Sequence, residues 1–181
     1  MIQKIKKNLA TIELGILIGL FTFLLTLLTT TIWQNNGISM GELIMLPLIG
    51  GFYLFLTTIV INIIGINKIR RLEIKNNVLP IKKIYQVLII IVVSILIYTI
   101  LDSIYFLFDS SLSKDYASSL DALLKSTGET TEEVKDFENI PFSIQNIFSS
   151  ITSAIITGLI SLPFIKSDGE LFKSKKENYY Q

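Results

Sequence analysis

Four apolar runs free of charge constrain this chain more than any other feature. They cover residues 14–41, 43–67, 84–101 and 139–165, and a hydrocarbon core of about 30 Å needs about 20 helical residues. Trimming the polar ends, and admitting one acid into the first and the third, gives expected spans at residues 9–32, 43–66, 84–108 and 144–165. Their wealth of Ile, Val and Thr does not make them strands, because a lone strand in lipid leaves its backbone N–H and C=O groups unpaired. The short alternating segments of a closed barrel are absent from the sequence. The fold class expected is therefore all-α, one membrane domain over residues 1–181 with four transmembrane helices and a short extracytoplasmic helical segment between the third and fourth. Composition agrees: 50 % of residues are hydrophobic and 17 % charged, too few charges for a chain solvated by water alone.

Orientation follows from where the cations lie. An alternating four-span layout puts thirteen Lys and Arg on one side, from Lys4, Lys6 and Lys7 through the 67–83 connector to Lys166, Lys173, Lys175 and Lys176. Only Lys114, Lys125 and Lys135 fall on the other. The positive-inside rule then expects both termini in the cytoplasm. Lys4 to Lys7 before an apolar stretch resembles a secretion signal, but the stretch is too long and Thr29-Thr30-Thr31-Ile32-Trp33 offers no small-residue cleavage site. An uncleaved first helix is expected.

The connections differ in kind. Residues 33–42 read as a short polar turn, and residues 67–83 as an amphiphilic connector along the inner headgroups, with Pro80 breaking the chain before the third span. Residues 109–143 are the one sizeable water-facing piece. There Leu112, Tyr116, Leu120, Leu123 and Leu124 share a helical face, Gly128 ends that helix, and Thr130-Thr131-Glu132-Glu133 reads as a capping box opening a second. Eight acids against three lysines make this segment acidic.

With no Cys and no His, the chain has no thiolate nucleophile, no imidazole base and no usual zinc or haem ligand. No P-loop, GxSxG or calcium-loop pattern occurs, so no cofactor and no metal is expected, and a net charge of +1 gives no reason to bind nucleic acid. The bilayer itself is the expected partner.

Chemistry inside the spans rests on two carboxylates, because burying an ionisable group in lipid is costly. At 1.5 Å per residue, Glu13 lies about 6 Å inside one boundary and Asp102 about 9 Å inside the other. Glu13 is either an interfacial acid near a helix N-terminus or a partner of Asn62, which the second helix brings to the same depth. Asp102 is either held structurally by Ser149, Ser150 or Ser153 of the fourth helix or is a proton or cation site. Gly15 and Gly19 form a GxxxG, and the rows Ser149, Ser153, Thr157, Ser161 and Ser150, Ala154, Gly158 place small residues along the fourth helix. These rows point to close packing, with that helix at the bundle centre, or to a polar pathway.

The layout resembles a family of small bacterial inner-membrane proteins known as domain of unknown function 4199. The residues that carry the resemblance are the Lys-rich start and Gly-bearing first helix from Lys4 to Gly19, and the connector ending Leu79-Pro80-Ile81-Lys82-Lys83. Lys114-Asp115-Tyr116, Thr130-Thr131-Glu132-Glu133-Val134 and the Lys-rich tail extend it. It implies a bacterial inner-membrane location and brings no assigned activity. The function expected is a non-enzymatic module docking a partner or a second copy through its outer helices, by the face of Leu112, Tyr116, Leu120 and Leu124. The alternatives are a small transporter or channel component using an intramembrane carboxylate and, behind it, an intramembrane enzyme.

Overall fold

The computed structural model describes residues 2–35, 40–76, 81–111, 113–115, 117–118, 121, 125, 139–167 and 169, with residues 2–8, 29–30, 32–35, 40–55 and 57 described as backbone only. Among the described residues there is helix and no strand. Helix α1 spans Ile2–Asn35, α2 Met40–Lys75, α3 Lys83–Phe108, α4 Phe142–Gln145 and α5 Ile147–Ser161, followed by a 3-10 turn at Leu162–Phe164. Among the described residues three helical stretches are long and apolar enough to cross a membrane: Leu9–Leu28, Lys83–Phe108 and Ile147–Phe164. These lie within or close to the first, third and fourth expected spans. The expected second span falls on α2, where most side chains from 43 to 57 lie outside the described residues.

Two connections are shorter than the sequence suggests. Helix α1 runs to Asn35 and α2 starts at Met40, so most of the expected 33–42 turn is helical. Helix α2 continues to Lys75, through the first half of the expected headgroup connector. Its 36 residues are about 54 Å long, well beyond a hydrocarbon thickness, so its last turns stand clear of any bilayer the first turns enter. Pro80, the capping box at 130–133 and the face of Leu112, Tyr116, Leu120, Leu123 and Leu124 lie outside the described residues. Ser111, Asp121, Lys125 and residues 113–115 and 117–118 are helical, with Ser113 and Ala117 buried.

The helices run up, down, up, down. Helix α1 packs most extensively along α3, in parallel, while α2 sits against α1 and α5, and α5 against α2 and α3. The reason for the close α1–α3 pairing is Gly15 and Gly19. A Cβ at Gly15 would lie 2.8 Å from Val93 Cβ, and one at Gly19 would lie 2.7 Å from the Ser94 carbonyl. Where lipid surrounds the helices there is little hydrophobic force between them, and such close contact supplies the attraction instead. The fourth helix is thus not the centre of the bundle. Phe148, Ile151, Ile155, Ile156, Leu159 and Ile160 of α5 are all exposed, and Gly158 lets the helix approach Val87 and Ile91 of α3.

Helix α3 carries the bundle's most informative pattern. Leu88, Val92, Leu96, Ile100 and Ile104 repeat every fourth residue and face outward, each 48–55 % exposed. Gln86, Ile90, Ser94, Tyr98 and Asp102 repeat on the opposite side and are buried. A helix in water has its apolar stripe inward. Here the outward stripe is purely aliphatic and the inward one largely polar, an arrangement compatible with a hydrocarbon surrounding.

Candidate functional site: a hydroxyl-lined groove and two polar ends

The apolar core is confined to one part of the bundle. Ile18, Ile66, Val87, Ile90 and Ile165 form it, with Leu14, Ile61, Ile91 and Leu162 packed against them. Below this core, toward the end bearing Lys82, Lys83 and Lys166, polar side chains tie the helices together. Arg70 is 1 % exposed and donates from Nη1 to the Ile81 carbonyl at 2.7 Å and to Gln86 Oε1 at 3.0 Å. Gln86 donates in turn to Glu73 Oε2 at 3.5 Å. Helix α5 ends in the 3-10 turn Leu162–Phe164, and the last carbonyls of a helix lack donors from a following turn. Lys83 Nζ supplies them to Leu162 at 2.9 Å and Ile165 at 3.3 Å. Asn67 acts like a strip of backbone: Nδ2 donates to the Phe164 carbonyl at 3.2 Å, and Oδ1 accepts from the Lys166 N–H at 2.8 Å.

Toward the other end a groove of about 300 Å³ opens between α1, α3 and α5, with Thr58 of α2 also lining it. It runs from Asn146 to Thr157 along α5, about 16 Å at 1.5 Å per residue. None of the described lining residues is charged. The hydroxyls on its walls fall into two groups. Thr22 donates to the Ile18 carbonyl, Ser94 to Ile91 and Thr157 to Ala154, each at 2.8–3.0 Å. These are the bonds by which hydroxyls in apolar helices commonly satisfy themselves. Ser149, Ser150 and Ser153 make none among the described residues, and Ser149 and Ser153 are exposed. Thr26 and Thr31 on α1 likewise bond their own helix, at the Thr22 and Leu27 carbonyls.

The two intramembrane carboxylates of the sequence reading lie elsewhere. Glu13 is exposed, while Asn62 is buried at 2 %. Leu14, not Glu13, points at α2, where it meets Gly65. Glu13 therefore turns about 100° away from Asn62, and the two are not brought together. The Asn62 Oδ1 and the Thr11 hydroxyl are buried with no hydrogen-bond partner among the described residues. Asp102 is 2 % exposed, and Oδ2 accepts the Ser143 backbone N–H at 2.8 Å. Its partner is thus the first turn of α4, where N–H groups are free to donate, and not a hydroxyl of Ser149, Ser150 or Ser153. Those serines follow Ser143 by six to ten residues, about 9–15 Å along the helix from the level of Asp102, and line the groove, where Asp102 is not among the described lining residues. Ala154 lines the groove too, and Gly158 packs on α3 beneath it.

Sequence reasoning did not find Tyr98, which stands between these two features. It lines the groove, its hydroxyl bonds Thr26, and Asp102 follows one turn on along α3. Nor did it find Asp109, which ends α3 in an extended conformation. The Asp109 carboxylate accepts from Ser111 N–H at 2.9 Å and from the Tyr105 hydroxyl at 2.8 Å. These bonds, the Ser111 amide foremost, hold its pKa below the ordinary carboxylate value. Asp109 so caps the helix that follows. The Phe23 and Tyr105 rings meet edge to face, 6.2 Å apart, and join α1 to α3 nearby.

No protein-family model, curated protein or solved structure matches the chain. What the site can do is therefore argued from its geometry. Among the described residues no three acids gather as metal ligands, and the groove holds no nucleophile–base pair.

Proposed function

We propose that this chain is a bacterial inner-membrane protein that crosses the bilayer four times, α2 being the remaining span, with both termini in the cytoplasm. Its task on this reading is non-enzymatic: it docks a partner or a second copy through the acidic segment between α3 and α4. The observation that carries the reading is the direction of Asp102. Its carboxylate is committed to the Ser143 N–H and does not line the groove, while Glu13 faces outward. An ion pathway through this bundle would lack a charged group at its middle, and a carboxylate-based transporter needs one. The thirteen-to-three distribution of cations supports the orientation. The resemblance in layout to domain of unknown function 4199 agrees with the location and adds no activity.

The test uses the full chain in two settings. Since the chain has no native Cys, single cysteines at Asn36 and Lys75 report topology in intact cells. An impermeant thiol reagent should label position 36 and spare position 75, and the reverse would overturn the orientation. In proteoliposomes, neither the wild type nor Asp102→Asn should carry protons or monovalent cations above the protein-free rate. Flux in the wild type that Asp102→Asn abolishes would replace docking by transport.

A further inference from the structure

We propose that the groove between α1, α3 and α5 binds a small uncharged amphiphile bearing a hydroxyl group, of the monoacylglycerol type. This goes beyond the docking role and rests only on the bilayer placement of the bundle.

The argument begins with size. A groove of about 300 Å³ lies at the lower end of small-molecule sites and is far too small for a partner helix. Its chemistry narrows the occupant further. Ile18, Ile95, Phe142 and Ala154 give it apolar walls, so a wholly polar guest such as a sugar or a file of water would forfeit contact along most of its length. A charged guest would find no counter-charge among the described lining residues, and Asp102 is turned to Ser143. A plain hydrocarbon would make no use of Ser149, Ser150 and Ser153, whose hydroxyls bond no described residue.

Those three hydroxyls decide the class. Each can donate one hydrogen bond and accept two, and none is used on the helix's own carbonyls as those of Thr22, Ser94 and Thr157 are. They lie along the stretch of the groove nearer Asn146, while the apolar core under Ser94 and Thr157 closes the other end. A guest with a hydroxylated head and one short apolar stretch matches that order, head toward Asn146 and chain toward Ile18.

A monoacylglycerol carrying a diazirine in its chain tests this on the full-length protein in micelles. Photolabelling should map to residues 142–157. Unlabelled monoacylglycerol should compete at least tenfold better than the fatty acid or the alkane of equal chain length. Ala154→Leu, which fills the groove, should cut labelling at least tenfold, and Ser150→Ala with Ser153→Ala should weaken it about fivefold with an unchanged thermal transition. Equal competition by the fatty acid, labelling spread evenly over the exposed aliphatic face, or labelling unaffected by both variants would overturn the proposal. Because binding is read in micelles, it fails or succeeds independently of the topology and flux assays.

Discussion

Arg70, Lys83 and Asn67 reach across three helices at the basic end of the bundle, and every one of these contacts closes on a carbonyl, an amide or a backbone N–H. At the acidic end a bond from the Ser143 N–H to Asp102 joins α3 to α4. Between them the basic half is filled by aliphatic side chains and the acidic half is hollowed into a hydroxyl-lined groove. The contrast teaches that a helical bundle can be fastened at one end by polar groups spent on each other, and open at the other where they are left unspent. Breaking each set of contacts in turn measures the difference.

The largest effect is expected at Arg70. Hydrogen bonds from a charged donor are worth about 1.5–3 kcal/mol each, so Arg70→Ala, which removes at least those to Ile81 and Gln86 from a buried site, should cost about 3 kcal/mol or more. Arg71→Ala, on the exposed side of the same helix, should stay within about 0.5 kcal/mol. Denaturant titration in mixed micelles compares the two, and equal losses would mean that the Arg70 network contributes nothing beyond ordinary surface charge.

Packing comes next. The Gly19 Cβ would press on a backbone carbonyl, which cannot yield, whereas at Gly158 it would press on the movable methyl groups of Ile91 and Val87. Gly19→Ala should therefore cost about 2 kcal/mol and Gly158→Ala less. The reverse order would place the tight helix pair at α5 instead of between α1 and α3.

These two sites also show what the sequence made legible. The 84–108 span was expected and α3 occupies Lys83–Phe108, because an apolar run in lipid must be helical whatever its propensity. Its inward ridge was not legible. Ser94, Tyr98 and Asp102 are few against so many aliphatic neighbours that the run reads as uniformly apolar, and only the placement of α1 shows which side is buried. Arg70 escaped for the opposite reason: it sits among five other cations from Lys68 to Lys83, and charge alone cannot tell which one turns inward. The partner of Asp102 was sought among serine hydroxyls because side chains are what a sequence displays. A backbone N–H is present at every residue but Pro, and only the start of a helix makes one available.

At the acidic end, Asp102→Leu should cost about 1.5 kcal/mol, since the Ser143 N–H is then buried without an acceptor. Asp102→Asn retains an acceptor oxygen and should lose less than half of that. Should Asp102→Leu cost as much as Arg70→Ala, the two ends would be equally fastened and the contrast would disappear.

The smallest effect is expected at Asp109, where the carboxylate is exposed and caps a short helix. Asp109→Ala should cost about 1 kcal/mol or less. Its folded pKa lies below the unfolded value, so the stabilisation is present above the ordinary carboxylate range near 4 and is lost as pH falls through the lower folded value. In an unfolding series across that acidic window the wild type should approach the alanine variant. A gap between them that persists at the lowest pH would show that the cap does not depend on ionisation.

The central claim is that one half of the bundle is closed and the other is hollow and reachable. Single cysteines at Ile90 in the core and Ser153 on the groove wall, each in a chain otherwise free of Cys, test it directly in lipid-depleted micelles. Thiolates react only where water and reagent reach them. A small methanethiosulfonate reagent should modify Ser153→Cys at least tenfold faster than Ile90→Cys, and equal rates at the two positions would contradict the account.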